Sequence, residues 1–190
     1  IISILSAYAI VFFSFPGRML FFWMIFITLM LPVEVRILPT YQVIVDLGLI
    51  DTYTGLTLPL MASATATFLF RQFFMTIPDE LVEAARIDGG GFWTIFLHVM
   101  LPMSIPILVV ATILQVTGIW NDFIFGLTFA GRENLPMTVQ LNNIVHSTQG
   151  ERAYNVDMAA TMLTALVPLV VYFVSGRWFV RGIAAGAVKG

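Results

Sequence analysis

The chain of 190 residues is 59% hydrophobic and 11% charged, with a mean hydropathy of +0.93, above the apolar share of roughly 45–50% found in soluble domains. It has no cysteine, which excludes disulfides, thiolate metal sites and cysteine nucleophiles. A net charge of -2 singles out no partner, and no nucleic acid is expected among them. The composition is that of a membrane protein, and an all-α, polytopic transmembrane helix bundle is expected from the apolar blocks that follow.

A helix needs about 20 residues to cross about 30 Å of hydrocarbon. Residues 1–15 fall short and read as a partial span. Ile1 lies inside an apolar run with no Met or basic segment ahead of it, as expected of an N-terminally truncated chain. This block closes at FPGR, where Pro16 and Gly17 break the helix and Arg18 anchors at the interface. Residues 19–38, 55–74, 104–129 and 156–174 are each long enough to span. Polar connections at 40–54, 75–103 and 130–155 separate them, and a tail at 177–190 follows. A single transmembrane domain over residues 1–190 is expected, lacking its N-terminal span or spans.

Basic residues near span ends are retained on the cytoplasmic side. Placing FPGR, the 75–103 connection and the tail inside puts Arg18, Arg71, Arg86, Arg177, Arg181 and Lys189 there, against Arg36, Arg132 and Arg152 outside. The stretch DELVEAARIDGGG, residues 79–91, is then cytoplasmic.

That stretch predicts a helix of about three turns with marked ends. Pro78 suits the first turn, Asp79 and Glu80 offset the helix dipole, and Gly89 stands where a left-handed C-terminal residue belongs. Leu81, Ala84, Ala85 and Asp88 fall on one side, with Glu83 and Arg86 three apart on another. So short a helix is marginal in water alone and needs a packing partner. Small alanines on an exposed face admit another backbone closely, the geometry of a docking element. The plain alternative is a surface helix followed by a flexible glycine linker.

Glu83, Ala84, Ala85 and Gly89, followed by Val99, Leu101 and Pro102, resemble the EAA motif of permease subunits of bacterial ABC importers. The motif reads E-A-A, three residues, G, nine residues, I-x-L-P, and only Val99 departs from it. LPVEVRILPT through FFMTIPDELVEAARIDG is most similar to the second permease subunit of sn-glycerol-3-phosphate importers. WNDFIFGL, YNVDMAA and FVRGIAAGAVKG are more similar to monosaccharide and maltose-type permeases. The resemblance implies a type I importer permease in the bacterial inner membrane, carrying a sugar or sn-glycerol 3-phosphate. Its implied partners are a second permease subunit, two ATP-binding subunits and an extracytoplasmic solute-binding protein. Residues 79–91 would be the coupling helix seated in a cleft of an ATPase subunit. Glu83 would supply polar contacts there, Ala84 and Ala85 the close approach, Gly89 the turn, and Leu101 with Pro102 the return into the next span. The chain shows no Walker-type loop and no catalytic constellation, so it is expected to be non-catalytic and to bind no cofactor, with ATP and Mg held by the ATPase subunits.

A charge at the bilayer centre costs about 2.5–3.5 kcal/mol, so polar residues in spans face protein or a water path. Gln115, Asn121 and Asp122 therefore either line the solute path, with Trp120 offering a face to a sugar ring, or hydrogen-bond between helices or mark an interfacial belt. Glu34 and Arg36 do not face each other on a helix and read as interfacial snorkelling; a second reading of Arg36 is attraction of an anionic solute. His98 and His146 lie far apart, and no metal site is expected. Asp157, Met158, Ala159 and Ala160 open the last span, where small residues allow close packing, and Pro168 is expected to kink it. Arg177, Arg181 and Lys189 read as a positive-inside anchor, and the maltose-type resemblance implies that residues 186–190 reach the ATPases. An ion-coupled secondary transporter, with intramembrane charges in broken helices, is the alternative function. A membrane-embedded enzyme would need convergent acids or histidines at one depth, which the scattered charges do not provide.

Overall fold

A computed structural model describes residues 1–131, 134–147 and 154–187, the side chains at 146–147 and 177–187 excepted. It is 80% helical, with no strand among the described residues. The helices in chain order are α1 (Ile2–Phe12), α2 (Arg18–Met30), α3 (Val33–Asp46), α4 (Tyr53–Thr57), α5 (Ala64–Phe74), α6 (Asp79–Ile87) and α7 (Phe92–Ile95). After a π turn at Phe96–Met100 come α8 (Leu101–Met103), α9 (Ile105–Trp120), α10 (Ile124–Phe129), α11 (Met137–Ser147) and α12 (Tyr154–Ala187).

Three apolar blocks expected as continuous helices are interrupted, each for a local reason. Block 19–38 divides at Leu31 and Pro32: Pro32 has no N–H to continue the ladder, and Leu31 before it is extended with ψ 118°. Block 55–74 divides after a short 3₁₀ turn, Leu58–Leu60, that contains Pro59. Ser63 then opens α5 by accepting the Ala66 N–H at 3.2 Å. Block 104–129 divides at residues 121–123, where the Asp122 Oδ1 accepts the Phe125 N–H at 3.0 Å and starts α10. Among the described residues one helix, over Tyr154–Gly176, is by itself long and apolar enough to cross a membrane, and up to four spans result if each bent pair is one.

Where one continuous domain is expected, the chain forms two compact units. The first comprises Ile1–Leu31, Ala62–Gln115 and Ser175–Gly190, and the second Pro32–Met61 and Val116–Val174.

In the first unit α1 and α5 run parallel. The Ser3 hydroxyl donates to the Ser63 carbonyl at 3.0 Å at one end, and the rings of Tyr8 and Phe12 meet Phe74 at 6.1 and 5.8 Å at the other. Against α5, α2 runs antiparallel: Phe26 meets Phe68 at 5.6 Å, and one turn earlier Phe22 lies under Arg71. Ala7, Tyr8, Phe74, Phe96 and Met100 are buried between these helices and the segment that follows α6. Between helices in lipid such burial is favoured by close packing and not by removal of apolar surface from water.

The second unit is centred on Ile44, Phe125 and Phe129. Asp51 latches two of its loops together from a left-handed backbone conformation, φ 57°. Its N–H donates to the Phe129 carbonyl at 3.0 Å, its Oδ1 accepts the Gly131 N–H at 2.7 Å, and its carbonyl accepts Asn134 Nδ2 at 2.8 Å. Such a non-glycine conformation persists only where the surroundings hold it.

Candidate functional site

The helix α6 starts and stops where its sequence signals stand. Pro78 occupies the N-cap, one position earlier than the first turn, with φ -60° and ψ 136°, and Asp79 and Glu80 follow it. At the far end Gly89 has φ 81°, its N–H donates to the Arg86 carbonyl at 3.0 Å, and the Gly90 N–H donates to the Ala85 carbonyl at 2.9 Å. This is a Schellman ending, which satisfies carbonyls the helix would otherwise leave open.

The two alanines of the motif part company. Val82 is buried, and Ala85, one turn on, is half-buried against the same core. Of the exposed residues of α6, Glu80, Glu83, Ala84 and Ile87 share the face opposite Val82, at helical spacing. Ala85 therefore belongs to the seat of the helix and not with Ala84 on the outward side. The physical cause is that Val82 and Ala85 together form the apolar edge that fits beneath α6. Ile87 is 86% exposed, and Leu81 on the flank of the helix is exposed as well, so α6 leaves two large apolar side chains in the open.

The seat is aromatic. Tyr8 stands 5.0 Å from Phe92 and 5.1 Å from Phe96 between ring centroids, and its hydroxyl donates to the Phe92 carbonyl at 3.4 Å. A cavity of about 270 Å³ lies between α6 and this cluster, lined by Tyr8, Phe12, Val82, Arg86, Gly90 and Phe92, among others.

Val99 and Leu101 pack against the same core, and Pro102 is exposed. Pro102 lacks an N–H and crowds the carbonyl of the preceding turn, and the backbone just before it widens into the π turn, with the Leu101 N–H reaching back to the Phe96 carbonyl. Ser104 is fully buried, its hydroxyl bonded to the Met100 carbonyl. There the chain bends by 71° into α9.

The path candidates lie on α9 and in the break that follows it. Gln115 is half-buried in the first unit, whereas Trp120, Asn121 and Asp122 belong to the second. Trp120 Nε1 donates to the Thr164 carbonyl at 3.0 Å, tying the end of α9 to α12. Asn121 is exposed. Asp122 caps α10, and its carbonyl accepts the Thr138 hydroxyl at 2.8 Å. It also borders an apolar cavity of about 320 Å³ with Thr57, Leu60, Ile119 and Gly126.

Glu34 and Arg36 are exposed on α3. His98 is exposed, with Nδ1 3.1 Å from the Thr94 carbonyl. Asp157 is buried near the start of α12, which continues through Pro168 without a break. Arg132, Arg152, Lys189 and the end of the 186–190 tail lie outside the described residues, as do the side chains of His146, Arg177 and Arg181. Sequence reasoning placed Gly90 only within the turning run 89–91 and missed Tyr8 and Asp51. The glycine run signals Gly90, whereas Tyr8 and Asp51 act through residues distant in sequence.

The sequence model of the family described as "Binding-protein-dependent transport system inner membrane component" matches residues 1–186. The sn-glycerol-3-phosphate transport system permease protein UgpE of Pectobacterium atrosepticum is 55% identical over 183 residues, which cover 96% of this chain and 65% of that protein. The protein of the same name from Rhizobium meliloti is 55% identical over 185 residues, with coverage of 96% and 65%. The chain thus spans about 65% of the length of these relatives. A solved bacterial ABC transporter involved in the import of the acidic polysaccharide alginate aligns with a TM-score of 0.70 at 22% identity, over 100% of this chain and 70% of that one. That likeness is one of fold.

Proposed function

Because this chain belongs to the binding-protein-dependent transport system inner membrane component family, we propose that it is part of the permease subunit of an ATP-driven importer whose solute is sn-glycerol 3-phosphate or a related sugar-like molecule. The names of the UgpE relatives support the solute class. The family does not favour the ion-coupled alternative. In this reading the protein crosses the bacterial inner membrane several times and works with a second permease subunit, two ATP-binding subunits and an extracytoplasmic solute-binding protein. ATP and Mg are bound by the ATP-binding subunits, and this chain hydrolyses nothing.

The observation that carries the proposal is the two-sided character of α6. Its exposed face of Glu80, Glu83, Ala84 and Ile87 suits a soluble protein surface, and its other edge, Val82 and Ala85, is packed into the core of the first unit. A push on α6 is therefore transmitted to α1 and α5 through Tyr8, Phe74 and Phe96, since packed interiors shift as bodies and do not yield locally. ATP-dependent closure of the two ATP-binding subunits would bias such an element between two arrangements. The experiment is reconstitution of the full-length protein with its partners. ATPase activity is expected to rise with binding protein loaded with sn-glycerol 3-phosphate, and cysteine pairs between position 84 and the ATP-binding subunit are expected to cross-link. Absence of that cross-link in an active complex would remove α6 from the coupling role. Stimulation by a neutral sugar alone would change the solute.

A further inference from the structure

The antiparallel register of α2 and α5 brings two arginines to the same end of the pair. Phe26 opposite Phe68 and Phe22 opposite Arg71 place Arg18, at the first residue of α2, one turn beyond Arg71, toward the end of α5 that leads into α6.

No acidic residue occurs in α1, α2 or α5, and among the described residues neither arginine forms an ion pair. The Arg71 guanidinium carbon lies 4.0 Å from the Phe22 ring centroid, a stacking that fixes its plane. Its Nε is shut off from solvent and has no hydrogen-bond partner among the described residues. The side chain as a whole is half-buried, which leaves the terminal nitrogens as the atoms through which an anion can reach the charge. Arg71 is half-buried and Arg18 exposed, and a partly desolvated cation with a second cation one turn away is favoured by a counter-charge that both can reach. The surroundings are those of a bilayer: Leu20, Phe21, Trp23 and Met24 on the same helix are large, apolar and exposed.

We propose that Arg18 and Arg71, with Phe22 beneath the Arg71 guanidinium, bind the phosphate of an anionic phospholipid from the leaflet on the α6 side. The ligand chemistry is a phosphodiester: a planar guanidinium presents paired donors to phosphate oxygens, and basic pockets between membrane helices hold such headgroups. The exposed apolar face of α2 would lie along the acyl chains, which makes the lipid and not free phosphate the occupant.

The test uses the full-length protein in its complex, reconstituted into nanodiscs of phosphatidylglycerol mixed with phosphatidylcholine, with retained lipid read by native mass spectrometry after mild release. Wild type is expected to retain phosphatidylglycerol selectively. Arg71→Gln and Arg18→Gln should each lower that retention about five-fold. Arg71→Lys should keep part of it, and Phe22→Leu should weaken it without any change of charge. Equal retention in wild type and Arg18→Gln, an exposed position not needed for folding, overturns the proposal even if the Arg71 variants do not assemble. Displacement of the lipid by millimolar inorganic phosphate would identify a free-anion site, and cross-linking of either arginine to a partner's carboxylate would identify a protein counter-ion. Both results overturn the lipid assignment.

Discussion

The Ala85 carbonyl both accepts the Gly90 N–H at 2.9 Å and forbids a side chain there, because a Cβ on Gly90 would stand 2.5 Å from that same oxygen. Gly89 differs. Nothing lies within 4 Å of a Cβ built on it, and its constraint is φ 81° alone.

The two glycines should therefore fail differently. Gly89→Val is expected to destabilise the end of α6 by about 1–2 kcal/mol, the cost of a left-handed residue with a side chain, whereas Gly89→Asn should nearly retain it. At position 90 both substitutions should open the turn. The rate of tryptic cleavage after the exposed Arg86 reports the fraying, and a fast rate for Gly89→Asn would refute the distinction.

Ala84 and Ala85 are expected to separate docking from folding. Ala84→Leu should leave the melting temperature of the purified protein unchanged while lowering ATPase stimulation in the assembled complex. Ala85→Trp forces bulk into the seat and should destabilise by about 1–3 kcal/mol. Equal melting temperatures for the two variants would contradict the placement of Ala85.

Removing the Asp51 carboxylate should loosen the latch in the second unit. Asp51→Ala strips the acceptor from the Gly131 N–H and leaves a strained backbone behind, an expected loss of about 1–3 kcal/mol. Asp51→Asn keeps both an acceptor oxygen and tolerance of the left-handed region, so it should cost less. Hydrogen exchange at Gly131 distinguishes them.

Trp120→Phe keeps the ring and deletes the donor to Thr164. A loss of about 0.5–1.5 kcal/mol in stability is expected with no change in solute KM, because the indole N–H is spent on α12. A rise in KM at unchanged stability would support the reading of Trp120 as a face for the solute.

How much of this was legible depended on how local each cause is. The ends of α6 were readable because Pro78, Asp79, Glu80 and Gly89 act on their own backbone. The inward turn of Ala85 was not: a helix of 9 residues with Leu81, Val82 and Ile87 offers several apolar anchors of which only Val82 is buried, and the rings that receive it come from α1 and α7. The apolar blocks stood out by hydropathy, yet their breaks did not. Pro32 and Pro59 sit inside apolar runs where a mean over the block conceals them, and Asp122 looks like a buried charge until its bond to the Phe125 N–H shows it to be a cap. Trp120 was visible as a polar-tipped ring, but its partner Thr164 lies on another helix.

The π turn at Phe96–Met100 has a further implication for protein engineering. A π turn carries one residue more than the α-helical ladder requires, so this segment holds a spare link. Deleting a single residue within it should let the ladder close as ordinary helix while preserving the phase of Ile105 and everything beyond. The same deletion inside α9 would rotate the downstream side chains by about 100°.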